Sequence, residues 1–132
     1  MLRSVIAIAS SFVLIMAGVM IATVIATKLM LGSFIPAAGT QPTEAFLAVN
    51  LAYSGAFAVA GGFLAARFSP RAPFFHAIIL AGLLLALAAP SMAQPEPGIP
   101  SWYPPVIAFL GPGGVLLGGA VAASVFRPQR KP

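Results

Sequence analysis

The chain is predicted to be an all-α polytopic membrane protein, a four-transmembrane-helix bundle formed by a single domain over residues 1–132. Three observations predict this fold class. The composition is 60% hydrophobic and 7% charged, whereas a soluble domain carries about 25% charged residues. Four apolar stretches approach the roughly 20 residues that a spanning helix needs. They show no strict alternation, which favours helices over a barrel as the way to satisfy the backbone in lipid.

The predicted helices cover about residues 5–27, 46–66, 74–89 and 106–126. No Asp, Glu, Lys or Arg lies well inside any of them. Buried charge usually marks the proton path, ion site or substrate pocket of a membrane protein. Its absence argues against a pump, a proton-coupled transporter or a membrane enzyme, and no catalytic motif is present.

Helix 1 follows Met1-Leu2-Arg3-Ser4, which resembles the basic head of a signal peptide. The apolar run behind it is longer than the core of about 7–15 residues that a signal peptide has, so a retained helix is expected. Basic residues then predict the orientation, because they concentrate on the cytoplasmic side. One side of the membrane has Arg3, Arg67, Arg71, Arg127, Arg130 and Lys131. The other has Lys28, Glu44 and Glu96. Both termini and the turn between helices 2 and 3 are therefore predicted to be cytoplasmic.

Helix 2 has a seam of small residues spaced alternately four and three apart, which predicts close packing against another helix. The seam is Ala48, Ala52, Gly55, Val59, Gly62 and Ala66. Phe46, Tyr53, Phe57 and Leu64 lie on roughly the opposite face, where they are expected to meet lipid or another subunit. Helix 4 has a second seam, Gly111, Gly114, Gly118 and Ala122. The two seams predict a contact between helices 2 and 4 within the bundle, with a dimerisation face as the alternative.

Three polar residues lie inside helix 2. Asn50 is expected either to clamp two helices through its amide or to contact a ligand such as a quinone. Tyr53 and Ser54 lie one turn deeper, and the Ser54 hydroxyl is expected to bond the carbonyl of Asn50.

His76, near the start of helix 3, is the only histidine. It is expected to bond water, a headgroup or the turn between helices 2 and 3. One chain cannot supply bis-histidine haem ligation by itself, so a single chlorophyll ligand is the alternative.

Proline shapes the segment before helix 4. The loop from Pro90 to Pro105 is predicted to be extended, either as a stiff connector or as a docking surface for an extracytoplasmic partner. Trp102 and Tyr103 fall at headgroup level and are expected to anchor helix 4. Gly111-Pro112-Gly113-Gly114 is predicted to break the outer third of that helix, with Pro112 as a structural kink and an ion or substrate site as the alternative.

The stretch from Ala60 to Pro73, followed by His76-Ala77, resembles a group of small uncharacterised bacterial four-helix membrane proteins. The shared pattern is a Gly-Gly-x-x-Ala-Ala-Arg end of helix 2, a short basic turn and a His-Ala start of helix 3. Pro100-Ser101-Trp102-Tyr103 also fits the group. The resemblance implies architecture and no activity. Small multidrug-resistance exporters also have four helices at this size, but they depend on a glutamate in their first helix. The first helix of this chain has no glutamate and offers only Ser10, Ser11 and Thr23.

The functional prediction is a non-catalytic accessory subunit within a larger bacterial inner-membrane complex, photosynthetic or respiratory. The alternatives are a small oligomeric transporter or channel, and a protein that binds a pigment, haem or quinone. The expected partners are other membrane subunits and lipids. Nucleic acid is not expected, because the few basic residues lie at helix ends. No cofactor is predicted, bound lipid is expected, and with no cysteine there is no thiolate metal site.

Overall fold

The computed structural model describes residues 2–35, 37, 39–69, 72–93 and 97–126. The four helices are α1 (Leu2–Leu31), α2 (Glu44–Arg67), α3 (Pro73–Ala93) and α4 (Tyr103–Val125). Each is long and apolar enough to cross a membrane. The described part of the chain therefore has the predicted all-helical architecture of four helices, each with the length and hydropathy of a membrane span. The predicted orientation stays a prediction, and five of its charged residues lie outside the described residues: Arg71, Glu96, Arg127, Arg130 and Lys131.

Local chemistry sets where two of the helices begin and end. α1 continues past the predicted end at residue 27 and includes Lys28 in its last turn. It stops at Gly32, whose φ of +75° is a conformation that glycine adopts without strain. The Lys28 ammonium donates to the Gly32 carbonyl at 3.2 Å, which places a positive charge at the negative end of the helix. α2 begins after Thr43, whose hydroxyl accepts a hydrogen bond from the Phe46 N–H at 3.2 Å.

The prediction that proline excludes helix from residues 90–105 is wrong at both ends. α3 includes Pro90 in its last turns, where the missing N–H removes only one helical hydrogen bond. Pro104 and Pro105 lie in the first turn of α4, where backbone N–H groups have no partner within the helix. The predicted break in α4 is also wrong, because the helix runs without interruption through Pro112. The kink expected at Pro112 stays a prediction.

Helices that follow one another along the chain run in opposite directions. Gly114 and Gly118 of α4 lie beside Ala58 and Val59 of α2, so these two helices are parallel. α1 is antiparallel to α2, because Gly18 faces Phe57 while Gly61 faces Ile15 and Ser11. α3 is antiparallel to α4, with Leu84 beside Gly111 and Ala77 beside Gly119. We call the end where α1 and α3 finish the Lys28 end, and the opposite end the Arg67 end.

The centre of the bundle is the contact between α2 and α4, which is the most extensive in the molecule. α3 packs mainly on α4, whereas α1 packs mainly on α2 and touches α3 only slightly. The buried core contains Ile15, Ala58, Ala65, Ala77, Leu80, Ala81, Leu84 and Val115. Four of these eight residues are alanine, so the helix backbones approach closely and dispersion holds them together.

Candidate functional site

The contact between α2 and α4 is built on glycines that have no room for a side chain. A Cβ on Gly62 would collide with the Val115 carbonyl, and one on Gly118 would collide with the Val59 carbonyl. A Cβ on Gly114 would lie 2.8 Å from that of Ala58. Ala66 and Ala122 are buried on the same two helices toward the Arg67 end. The structure thus brings the two seams together over the half of the bundle that is nearer the Arg67 end.

The seam does not extend to the Lys28 end. Ala48 and Ala52, which the spacing assigns to it, are exposed on the outside of the bundle. Gly55 is the last seam residue to reach α4, where a Cβ would lie 3.6 Å from Leu110. Gly111 faces α3, because a Cβ there would contact only Leu84, at 3.8 Å. Straight helices that cross at an angle separate beyond their closest approach, so part of a regular seam is left uncovered.

The aromatic face of α2 does not meet lipid or another subunit as expected, because α1 covers part of it. The Phe57 ring packs against Gly18 of α1. The Tyr53 hydroxyl lies 2.7 Å from the Thr23 hydroxyl, also on α1. Phe46 and Leu64 on the same face are partly buried. α1 is therefore a packed member of the bundle along the outward side of α2.

A polar network joins α1, α2 and α4 toward the Lys28 end, with Asn50 at its centre. The Tyr103 hydroxyl of α4 donates to the Asn50 Oδ1 at 2.7 Å. The Asn50 Nδ2 donates to the Tyr53 hydroxyl. Ser54 donates to Oδ1 of Asn50 at 3.4 Å, and not to its backbone carbonyl as expected. The structure therefore brings together all three polar residues singled out in helix 2, and adds Thr23 from α1 and Tyr103 from α4.

The network has one self-consistent set of hydrogen positions. Thr23 donates to the Val19 carbonyl at 2.7 Å, so Tyr53 must donate to Thr23. Hydroxyl and amide donors then all point from Tyr103 toward α1. The Asn50 amide is the middle link, since its Oδ1 accepts from Tyr103 and its Nδ2 donates to Tyr53. Side-chain hydrogen bonds therefore connect α4 to α2 and α2 to α1.

Trp102 and Tyr103 have different surroundings, although both were expected to be interfacial anchors. Trp102 is 46% exposed, as an anchor at headgroup level would be. Tyr103 is partly buried, and its hydroxyl points to Asn50 across the α2–α4 contact. The rings meet edge to face with centroids 5.8 Å apart. Tyr103 thus packs inside the bundle. Its position in the sequence, beside a tryptophan, did not predict this.

His76 lies in the first turn of α3 and is partly buried. Its Nδ1 donates to the Ala72 carbonyl, 2.8 Å away in the turn between α2 and α3. The bond leaves only Nε2 for any ligand. Within the described ranges, no three His, Cys, Asp or Glu side chains lie close enough together to hold a metal ion.

An apolar cleft of about 280 Å³ lies between α1 and α3, and residues of α2 and α4 form its floor. All four helices contribute to its walls, which are Ile15, Met16, Val19, Ser54, Ala58, Leu84, Leu87, Ala88, Ile107, Ala108, Gly111 and Pro112. Ser54 supplies the only side-chain hydroxyl among these lining residues. The cleft exists because α1 packs mainly on α2 and α3 packs mainly on α4, while α1 and α3 have little contact with each other.

Sequence reasoning missed two parts of this site. Thr23 was visible as a polar residue in helix 1, but its pairing with Tyr53 depends on the register between two helices. The cleft has no sequence signal, because its walls come from four separate segments.

Comparison of the chain with protein-family models, curated proteins and solved structures finds no match. The resemblance to small bacterial four-helix proteins therefore stays a prediction.

Proposed function

We propose that the protein is a non-catalytic accessory subunit of a larger bacterial inner-membrane complex. It docks against a transmembrane helix of another subunit through one side of α2. That side, which we call the alanine face, consists of Ala45, Ala48, Ala52, Ala56 and Ala60.

The alanine face carries the proposal because it differs from the rest of the apolar surface. Val49 is the only large hydrophobic side chain of α2 that is exposed. On α1, by contrast, many large side chains are exposed, including Met20 at 71% and Leu29 at 79%. Large exposed side chains such as these are expected to contact the hydrocarbon chains of lipids. Alanines three or four residues apart form a strip in which Val49, between Ala45 and Ala52, is the only large side chain. Such a strip lets a second helix approach closely enough for dispersion to hold it.

The transporter alternative has less support. It relied on Asn50, Tyr53 and a broken helix 4 to line a path. The polar groups of both residues are engaged in the interhelical network, and α4 is continuous. Interrupted helices with free polar groups are what substrate and ion sites in transporters use.

A visible absorption spectrum of the purified protein tests the pigment or haem alternative, since a colourless preparation excludes both groups.

Native gel electrophoresis after extraction in a mild detergent tests the proposal. The wild-type chain should migrate in a complex with other proteins, and those proteins identify the complex. The double variant Ala52→Leu, Ala56→Leu should migrate alone, because branched side chains hold the partner helix away. Ala86→Leu is the matched control, since Ala86 is exposed on α3. It should stay in the complex. A wild-type chain that always migrates alone overturns the proposal.

A further inference from the structure

We infer that the cleft between α1 and α3 holds one hydrocarbon chain of a membrane lipid, which enters sideways from the bilayer. The inference does not rest on the proposed subunit role, because the cleft and the alanine face are separate surfaces.

The walls of the cleft suit a hydrocarbon chain and little else. Eleven of its twelve lining residues are apolar or glycine, and four of them, Ala58, Ala88, Ala108 and Gly111, are small enough to leave the space open. The one hydroxyl, on Ser54, is buried and turned to Asn50. Water in a cavity needs two to four polar partners, which these walls do not offer. A charged or zwitterionic headgroup would lose its hydration without replacement.

The position of the mouth determines what can enter. Met16 and Leu87 are the cleft residues with the largest exposed side chains, 41% and 54% exposed. At 1.5 Å per residue, Met16 lies about 21 Å from either end of α1. Leu87 lies about 21 Å from the Arg67 end of α3 and about 9 Å from its Lys28 end, still within the apolar span. The mouth therefore faces the hydrocarbon layer, where lipid chains are the abundant species.

Occupation by a chain also solves a packing problem. α1 has little contact with α3. A side chain that faces an empty gap loses dispersion contacts on that side. A chain in the cleft would touch Met16 and Val19 on one side and Leu84 and Leu87 on the other. It would thereby connect the two helices that the fold leaves apart.

Two glycines of α4 allow a matched test. Gly111 lines the cleft, and a Cβ there would meet only Leu84, at 3.8 Å. Gly113 lies on the same helix but faces open space. Gly111→Leu should fill the cleft, whereas Gly113→Leu should extend into the surrounding lipid. Ala88→Phe fills the cleft from α3 and serves as a second variant if Gly111→Leu does not fold.

The measurement is native mass spectrometry of each protein released from phosphatidylethanolamine and phosphatidylglycerol nanodiscs, after folding is checked by circular dichroism and gel filtration. Wild type and Gly113→Leu should retain a phospholipid after mild activation, and the cleft-filling variants should lose it. A phospholipid with a diazirine in mid-chain should crosslink to Leu84 or Leu87 in wild type. Equal lipid retention in all folded variants overturns the inference. A retained ligand whose mass is not that of a lipid with a hydrocarbon chain also overturns it.

Discussion

At the scale of single residues, the informative feature is how few polar side chains the spans contain and how completely most of them are used. Asn50 makes hydrogen bonds to side chains at three other positions, and one of them is on α4. Through Tyr53 the network reaches α1. A buried amide in an apolar bundle stabilises it only when its partners are in place. Asn50, which the sequence offered as a helix clamp or a ligand contact, is therefore bonded to α4 directly and connected to α1 through Tyr53.

Replacing Asn50 by Leu should destabilise the bundle by about 1–3 kcal/mol. The change removes the central link and leaves the Tyr103 hydroxyl without its acceptor. Unfolding in mixed micelles of dodecylsulfate and a mild detergent measures the effect. Ser54→Ala is the control, because it removes only one hydrogen bond, of 3.4 Å. Equal stability of Asn50→Leu and wild type would show that the network is not a clamp.

Ser11 is the opposite case. It is fully buried where α1 meets α2, and its hydroxyl has no hydrogen-bond partner among the described residues. Ser11→Ala should therefore stabilise the fold by about 1 kcal/mol, because it removes an unpaired polar group and keeps the packing. Ser10→Ala is a matched control, since the Ser10 hydroxyl is already bonded to the Ala7 carbonyl at 3.2 Å. The same unfolding assay compares them, and a less stable Ser11→Ala would mean that the hydroxyl has a partner.

At the scale of elements, prolines and glycines act according to their position along each helix. Pro104 and Pro105 are accommodated in the first turn of α4, and Pro112 costs one hydrogen bond without ending the helix. The glycines of α4 have distinct roles. Gly114 and Gly118 let α2 approach, Gly111 lines the cleft, and Gly113 faces outward.

This division predicts opposite results for the same substitution on one helix. Gly118→Ala should destabilise the bundle by about 1–3 kcal/mol or more, because the new methyl group collides with backbone atoms of Val59 and Phe63. Gly113→Ala should leave stability unchanged or raise it by up to about 1 kcal/mol, since alanine favours helix and nothing lies within 4 Å. Thermal unfolding in detergent distinguishes the two. If both variants behave alike, α2 and α4 do not pack closely at Gly118.

At the scale of the whole molecule, a parallel central pair, α2 and α4, is flanked by two antiparallel helices. The strip of alanines on α2 and the cleft are two places where the surface departs from large exposed side chains. The charged side chains that the structure describes lie at the two ends of the bundle: Lys28 and Glu44 at one end, Arg67 at the other. This distribution is what a protein in a bilayer requires.

The predicted orientation can be tested directly because the chain has no cysteine. Ser33→Cys, exposed after α1, should react with a membrane-impermeant maleimide in intact spheroplasts. Phe68→Cys, at the end of α2, is 55% exposed and should react only after permeabilisation. The reason is that the excess of basic residues predicts a cytoplasmic position for the Arg67 end. The reverse labelling pattern would contradict the prediction.

The sequence by itself determined the number of helices, their approximate limits and the half of the small-residue seams nearer the Arg67 end. These properties depend on local composition, hydrophobic length and residue spacing, which do not require the other helices. Only the tertiary structure decided which faces meet. It placed Tyr53 and Phe57 against α1, turned Ala48 and Ala52 outward, and paired Tyr103 with Asn50. Each of these outcomes depends on the crossing angle and register of two helices, and no single helix encodes either quantity. The cleft follows from the same geometry, because it is the space left where α1 and α3 do not meet.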